Sequence, residues 1–296
     1  MGFQNLHNFK IPFFILLFKI YIMTISANFL IVLLVSISTT LHTPMYFFLS
    51  HLSLCDMLFS TSIIPKMLHI VLEEGGTISL NACFIQIQIF GSCCIAECYL
   101  LTVMSYDRYV AICNPLLYSS IVDVKLCTRL VIISWMLGFL FALIACVLVG
   151  SLDFCNHNII DHFFCDFIPV LELSCSDTSI AEMESLLVTP FILLFPFLFV
   201  FVTYVHIFFT IFGISSTTGR QKTFSTCGSH LTVVSLFYGT LLSIYYSPSR
   251  GYVLNINKFV SLFYTVFTPL FNPIIYSLRN KEIRKACYIC LRVKQI

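Results

Sequence analysis

The sequence predicts an all-α membrane protein, a bundle of seven transmembrane helices followed by a short cytosolic amphipathic helix. Two observations support this prediction. The chain of 296 residues is 58% hydrophobic and only 10% charged, whereas ordinary soluble domains contain about 25% charged residues. It also contains seven apolar runs of about 20 residues or more, the length that crosses a bilayer core of about 30 Å. The net charge of +2 offers no basic surface for a nucleic acid, so no nucleic-acid partner is expected.

The whole chain is predicted to form one domain, because the connections between the apolar runs are too short to hold a soluble domain. The first run is longer than the roughly 7 to 15 apolar residues of a signal peptide, so it is interpreted as a span. Lys19 interrupts this run and would have to reach the membrane surface or face the bundle. The predicted spans are residues 11–36, 46–70, 83–110, 128–150, 184–212, 223–247 and 259–279, with a cytosolic tail over 280–296.

Lysine and arginine are distributed unequally between the two sides of the predicted bundle. Cytosolic connections of membrane proteins are enriched in these residues. None occurs between Leu130 and Gly219, a stretch that includes the longest connection. This bias predicts an outer N-terminus and a cytosolic C-terminus. The predicted cytosolic side carries Arg108, Lys125, Arg129, Arg220, Lys222, Arg279, Lys281, Arg284, Lys285, Arg292 and Lys294.

Four of the 14 cysteines fall on the predicted outer side, namely Cys83, Cys155, Cys165 and Cys175. An oxidising compartment favours disulfides there, and four cysteines allow three pairings. The remaining ten are interpreted as small buried hydrophobic residues. Two of them, Cys287 and Cys290, lie among basic residues after the last span and are candidates for S-palmitoylation.

Four stretches in order along the chain resemble one family. They are LHTPMYFFLSHLS from Leu41, MSYDRYVAICNPLLY from Met104, KTFSTCGSHL from Lys222 and NPIIYSLRNKE from Asn272. The sequence is similar to the olfactory receptors, which are rhodopsin-like G-protein-coupled receptors, from about residue 28 to residue 286. The resemblance implies a plasma-membrane receptor that binds an odorant and activates a stimulatory heterotrimeric G protein, which raises cyclic AMP. It also implies disulfides between Cys83 and Cys165 and between Cys155 and Cys175.

A ligand pocket is expected in the outer half of the bundle, between helices. Phe90, Cys94 and Cys98 are spaced by four residues and form one stripe of the third span, which Gly91 and Ile95 border. This lining is uncharged and predicts a small, neutral, mostly apolar volatile ligand, although helix packing explains any single residue as well. The resemblance adds Val188, Thr189, Ile192, Leu241, Leu242, Tyr245 and Thr265 to the wall.

Two carboxylates, Asp56 and Glu97, lie deep in the second and third spans, where a charge costs about 2.5 to 3.5 kcal/mol without partners. Asn28 and Asn272 lie at similar depth, so the four residues are predicted to share one polar pocket. By resemblance this pocket holds Na⁺ and changes on activation. The alternative is a polar network that only fixes helix packing. No other metal and no other cofactor is expected.

An activation switch is expected at the cytosolic end of the third span, where Arg108 follows Asp107. An arginine beside a carboxylate can pair locally or be released to bind elsewhere, which makes a two-state element. The alternative is anchoring at the membrane surface, which also accounts for Tyr109 and Tyr118. The resemblance extends the switch to Tyr204, His230, Tyr238, Asn272, Pro273 and Tyr276.

Other functional classes fit the sequence less well. A transporter is expected to show repeats with broken helices in matching halves, and no repeat is detectable. An enzyme needs a nucleophile and base or paired metal ligands, whereas the histidines are scattered. Olfactory receptors usually carry an Asn-x-Ser/Thr sequon before the first span, and this sequence has none. We therefore expect poor surface expression, with a weakly functional receptor variant as the alternative.

Overall fold

The computed structural model describes residues 9–73, 75–155, 159–213, 216–245 and 253–293, and all regular structure in these ranges is helical. This confirms the predicted helical bundle. Short helical turns at Thr39–Leu41, Tyr118–Ile121 and Phe167–Leu171 lie in the connections. The long helices are α1 (Lys10–Ile37), α2 (Pro44–Glu73), α3 (Leu80–Cys113), α4 (Val124–Gly150), α5 (Ser179–Gly213), α6 (Thr217–Tyr245), α7 (the consecutive segments Val253–Leu262, Phe263–Phe267 and Thr268–Arg279) and α8 (Lys281–Val293).

Six of the described helices are long and apolar enough to cross a membrane, namely α1 to α5 and residues Lys258–Ser277 of α7. The remaining predicted span corresponds to α6, which is 29 residues long. α6 packs against α3, α5 and α7. It therefore belongs to the same bundle as the other six.

Several helices begin earlier than the apolar runs predict, because their caps lie in the polar connections. The side chain of Ser79 accepts a hydrogen bond from the Ala82 amide at 3.2 Å at the start of α3. At the start of α4, Asp123 accepts from the Leu126 amide at 2.7 Å. Each cap satisfies an amide that has no partner within the helix. Hydrophobicity alone does not register these polar first turns.

Two spans contain a π-helical segment. Residues Pro190–Leu194 form one inside α5, and Phe263–Phe267 form the other inside α7, directly before Thr268 and Pro269. A proline removes one backbone donor and clashes with the preceding turn, and a π-bulge is one way in which a helix absorbs this. Both bulges lie in the half of the bundle that contains the candidate ligand site.

α3 is the central helix and packs against α2, α4, α5 and α6. Its approach to α4 is closest at Gly138, where an added Cβ would lie 2.5 Å from the carbonyl oxygen of Ser92. No larger side chain fits there without a shift of one helix. The α3–α4 wall is therefore fixed by backbone contact.

A loop held by disulfides covers one end of the bundle, the end predicted to be the outer one. Cys83 at the start of α3 bonds to Cys165, and Cys155 bonds to Cys175, the pairs that the resemblance implies. The amide of Cys165 also donates to Gln86 of α3 at 2.8 Å. Lys258 of α7 pairs with Asp161 of the loop at 2.8 Å.

The predicted tail contains the amphipathic helix α8. Its inner face buries Ile283 and Ala286, while its outer face carries basic residues that include Arg284. Asn280 caps the helix, since its side-chain oxygen accepts from the Glu282 amide at 2.9 Å. The same oxygen accepts from the Tyr46 hydroxyl of α2 at 2.9 Å. α8 is thus attached to the end of the bundle that the lysine and arginine bias predicts to be cytosolic.

Candidate functional site

A cavity of about 120 Å³ lies in the outer half of the bundle between α3, α4 and α5. It is smaller than the roughly 300 to 1,000 Å³ of sites for drug-sized ligands, so it suits a molecule of few heavy atoms. The predicted ligand residues that line it are Phe90, Gly91, Cys94, Ile95, Cys98, Val188, Thr189, Ile192 and Leu241.

The inner wall of this cavity is the stripe on α3. Phe90, Cys94 and Cys98 are all buried, because four-residue spacing places them on one face of the helix. The Phe90 ring packs 5.1 Å from Phe164 of the outer loop, measured between centroids. The hydroxyl of Tyr264 donates to the Cys94 sulfur at 2.8 Å. Loop, α3 and α7 therefore hold the stripe in place.

Two described residues expected in the wall, Leu242 and Thr265, are not part of this cavity lining. Leu242 packs against the hydrophobic core, and Thr265 is fully buried with its hydroxyl donating to Ser261 at 2.7 Å. Tyr264 of α7 packs against Phe59 of α2, with ring centroids 5.2 Å apart, and does not line the cavity. The side chain of Tyr245 lies outside the described residues.

The structure adds a wall that the sequence analysis missed. Phe141, Ala142 and Ala145 of α4 line the cavity. They belong to a span that is apolar all around, so periodicity gave no indication of which face points inward. Ile87, Phe167, Ser185 and Leu193 complete the apolar and hydroxyl-bearing lining.

Two carboxylates also line the cavity, Asp166 of the outer loop and Glu184 of α5. The expectation of an uncharged lining was therefore wrong. Asp166 precedes the short helix Phe167–Leu171 and accepts from the Phe167 amide at 2.7 Å. Burial raises the pKa of Asp166 to about 6. A sequence signal existed for Glu184, which stands at the edge of the apolar run of α5.

The predicted polar pocket brings its two carboxylates together. The side-chain amide of Asn272 lies 3.1 Å from both oxygens of Asp56 and 3.1 Å from Glu97. Asn28 joins α1 to the same region differently, since its amide donates to the Pro269 carbonyl at 3.0 Å. All four polar residues are buried. The side-chain oxygens of Asn28, Asn272 and Ser60 have no hydrogen-bond partner among the described residues.

At the predicted cytosolic end of α3, Arg108 is held by its neighbour. Its Nε donates to Asp107 Oδ2 at 2.9 Å, and a second guanidinium nitrogen contacts the same oxygen. The hydroxyl of Tyr118 donates to the other oxygen of Asp107 at 2.7 Å. Burial and the nearby Asp107 raise the pKa of Tyr118, which keeps this donor protonated. Tyr109 packs instead against His206, with ring centroids 6.0 Å apart.

A hydrogen-bonded chain links α5, α6 and α3 below the cavity. His230 Nε2 lies 3.1 Å from the Leu101 carbonyl, and His230 Nδ1 lies 2.7 Å from the Tyr204 hydroxyl. A neutral imidazole that donates from Nε2 accepts at Nδ1, so Tyr204 is the donor. Tyr238 donates to the Cys98 carbonyl at 3.3 Å.

Tyr276, a helical turn after Pro273, is buried with no hydrogen-bond partner for its hydroxyl among the described residues.

Comparison with known proteins agrees with this arrangement. A family model described as "Olfactory receptor" matches residues 17–294. The chain is 44% identical to human Olfactory receptor 11L1 over 99% of this chain and 91% of that protein. It is 49% identical to mouse Olfactory receptor 5P60 over 94% of this chain and 86% of that protein. It is 43% identical to human Olfactory receptor 8U1 over 97% of this chain and 93% of that protein.

The helical bundle, the outer disulfides and these similarities define a multi-pass membrane receptor of the G-protein-coupled class, and not an enzyme. More specifically, the chain belongs to the olfactory receptor family.

Proposed function

We propose that this chain binds a small, mostly apolar odorant in the cavity between α3, α4 and α5 and activates a stimulatory heterotrimeric G protein. Activation raises cyclic AMP. The observation that best supports this proposal is a hydrogen bond that joins the cavity lining to α6. Cys98 lines the cavity, and its carbonyl accepts the hydrogen bond of Tyr238. A ligand that displaces Cys98 or Leu241 therefore acts on α6.

Two groups of contacts would respond to movement of α6 at the cytosolic end. His230 moves with α6, so its bonds to Tyr204 and to the Leu101 carbonyl break or rearrange. Tyr204 then loses its acceptor, and Tyr204 and Tyr276 both become available to Arg108. Release of Arg108 from Asp107 exposes a cationic group at the face where the G protein docks. The movement thus converts a local ion pair into a binding surface.

The buried cluster of Asp56, Glu97 and Asn272 fits a bound Na⁺ in the resting receptor. Two carboxylates supply negative charge. The side-chain oxygens of Asn28, Asn272 and Ser60, which have no hydrogen-bond partner in the described part of the chain, are hard ligands of the kind that such cations prefer. An ion there offsets the cost of burying two charges of the same sign. The cluster joins α2, α3 and α7, so it favours one packing of these helices over another.

The proposed location is the plasma membrane, with the N-terminus outside and the C-terminus in the cytosol. The lysine and arginine bias supports this orientation. The four disulfide-bonded cysteines support it too, because they all lie on the end of the bundle opposite Arg108, where an oxidising compartment is required.

The test is an odorant panel applied to cells that express the chain and a cyclic AMP reporter. We expect at least one small volatile to raise cyclic AMP in a dose-dependent way. Cells that express Arg108→Ala at equal surface level serve as the control and should not respond. A response that persists in the Arg108→Ala cells, or ligand uptake into sealed vesicles without a second messenger, would contradict the proposal.

A further inference from the structure

We propose that the cavity is built for an odorant that carries a protonated amine, whose ammonium group is bound by Asp166 and Glu184. The inference rests on the proposed function, because it assumes that this cavity holds the odorant, and it names the chemical class of that ligand. It changes one part of the sequence-based expectation, the neutrality of the ligand.

The charges that line the cavity are all of one sign. Asp166 and Glu184 are both acidic, and no lysine, arginine or histidine lines this cavity among the described residues. Neither carboxylate has an ion-pair partner in the described part of the chain. Lys258, a basic residue of the outer face, is paired with Asp161 instead. The negative charge of the cavity is therefore not compensated within the described structure.

The two carboxylates approach the cavity from different elements. Asp166 belongs to the outer loop, and one of its oxygens is fixed by the Phe167 amide at 2.7 Å, which leaves the second oxygen for a ligand. Glu184 belongs to α5, one turn before Val188 and two turns before Ile192, and all three line the cavity. The loop and α5 thus both contribute an acceptor.

Hydroxyl groups on α5 complete a polar end. Ser185 and Thr189 line the cavity with four-residue spacing, so they share one helix face. Neither hydroxyl has a hydrogen-bond partner among the described residues. An ammonium group has three donors, which is enough for both carboxylates and one hydroxyl. The opposite lining, from Phe90 through Cys98 to Leu241, is apolar or thiol-bearing and suits a hydrocarbon skeleton.

Energetics favour a cation over an isosteric neutral molecule. Burial of an unpaired carboxylate is costly, whereas a hydrogen-bonded opposite charge offsets the loss of water. A neutral alcohol of the same shape leaves both carboxylates uncompensated when it displaces water from the cavity. An anion adds a third negative charge and should bind worst of all.

The test compares three ligands with one hydrocarbon skeleton on the purified full-length receptor. Cyclohexylamine, cyclohexanol and cyclohexanecarboxylate are titrated at pH 7.5, and affinity is measured from ligand-induced thermal stabilisation. We expect the amine to bind at least about tenfold more tightly than the alcohol, with the carboxylate weakest. Glu184→Gln and Asp166→Asn should each weaken amine binding about tenfold and leave cyclohexanol within about threefold.

Glu182→Gln is the matched control, because Glu182 is an exposed acid on the same helix that does not line the cavity. It should leave all three affinities unchanged. The Asp166→Asn variant keeps a side-chain oxygen that can cap the short helix Phe167–Leu171. Should this loop variant misfold, Glu184→Gln still tests the proposal independently. Equal affinities for amine and alcohol, or amine binding that neither variant weakens, would overturn the inference.

The same ligands in the cyclic AMP assay separate this inference from the proposed function. In one outcome, cyclohexanol raises cyclic AMP in an Arg108-dependent way while cyclohexylamine neither binds nor signals. This result would overturn the amine assignment and leave the proposed receptor function intact. Tight amine binding to the purified receptor with no cyclic AMP response to any odorant would support the amine site and count against the G-protein coupling.

Discussion

Arg108 is bound to its own neighbour, Asp107, at the opposite end of α3 from the cavity. Replacement by alanine removes the cation expected to meet the G protein and leaves the cavity lining intact. We expect Arg108→Ala to reduce the cyclic AMP response to basal level while the ligand affinity stays within about threefold. Arg129→Ala, an exposed arginine on the same side, is the control and should signal normally. Loss of ligand binding at normal surface expression would contradict this separation.

Asp56 and Glu97 share Asn272 as a hydrogen-bond partner, at 3.1 Å from each. Asp56→Asn and Glu97→Gln remove a charge each, which abolishes the desolvation cost and rearranges the amide contacts between α2, α3 and α7. We expect basal cyclic AMP to change at least about twofold in either variant, with less change in odorant preference. Glu73→Gln at the exposed end of α2 is the control. Unchanged basal activity in both variants would favour a role in packing alone.

Asp166 gives the amine site a defined pH dependence. Its pKa is raised to about 6 by burial, so the carboxyl is ionised above about pH 6 and neutral below it. Aliphatic amines stay protonated throughout this range, and Glu184 is the other charged group among the described residues that line the cavity. We therefore expect cyclohexylamine affinity to decrease as the pH falls from 7.5 to 5. Asp166→Asn should flatten this profile, whereas an equal decrease in that variant would assign the titration to another group.

The contact between α3 and α4 shows how a single helix position controls the site. A methyl group at Gly138 would lie 2.5 Å from the Ser92 carbonyl, so the helices must separate. We expect Gly138→Ala to destabilise the receptor by about 1 to 3 kcal/mol and to weaken ligand binding, since α3 and α4 both line the cavity. Gly239→Ala in α6 is the control, because its added Cβ meets nothing within 4 Å. Thermal denaturation of the purified variants measures the difference, and equal melting temperatures would refute it.

The helices and their order could be predicted from hydrophobicity, but their ends and faces could not. Seven apolar runs are visible in the sequence, whereas the first turns capped by Ser79 and Asp123 are polar and escape such a search. The stripe of Phe90, Cys94 and Cys98 was found because α3 carries a four-residue period. α4 is apolar on every face, so only tertiary packing shows that Ala142 points inward.

The positions of the two cavity carboxylates could not be predicted from the sequence for a different reason. Asp166 directly follows Cys165, whose disulfide to Cys83 attaches the loop to the start of α3, and this is a contact between distant parts of the chain. Counting residues along a helix predicts the positions of Asp56, Glu97, Asp107 and Arg108 along their spans, because each residue adds about 1.5 Å. Such counting does not predict the partner of each side chain.

Across the whole molecule, the feature most at odds with a membrane environment is Lys19. α1 is 28 residues long, or about 42 Å, and the Lys19 side chain is exposed on it between Ile15 and Ile22, which face away from the bundle. It therefore points toward lipid, in contrast to the alternative of facing the bundle. It lies about 13 Å from the start of the helix, so its ammonium reaches the headgroup region only by extending along α1.

A lysine held in this position adds an insertion cost of up to about 3 kcal/mol. We expect Lys19→Leu to raise surface expression at least about twofold, because α1 then enters the bilayer without a charged residue on its lipid face. Flow cytometry of an epitope-tagged receptor measures the surface fraction relative to total protein. Lys19→Arg keeps the charge and is the control, so it should give no increase. Equal surface fractions for Lys19→Leu and the native chain would show that the extended side chain already reaches the interface at no cost.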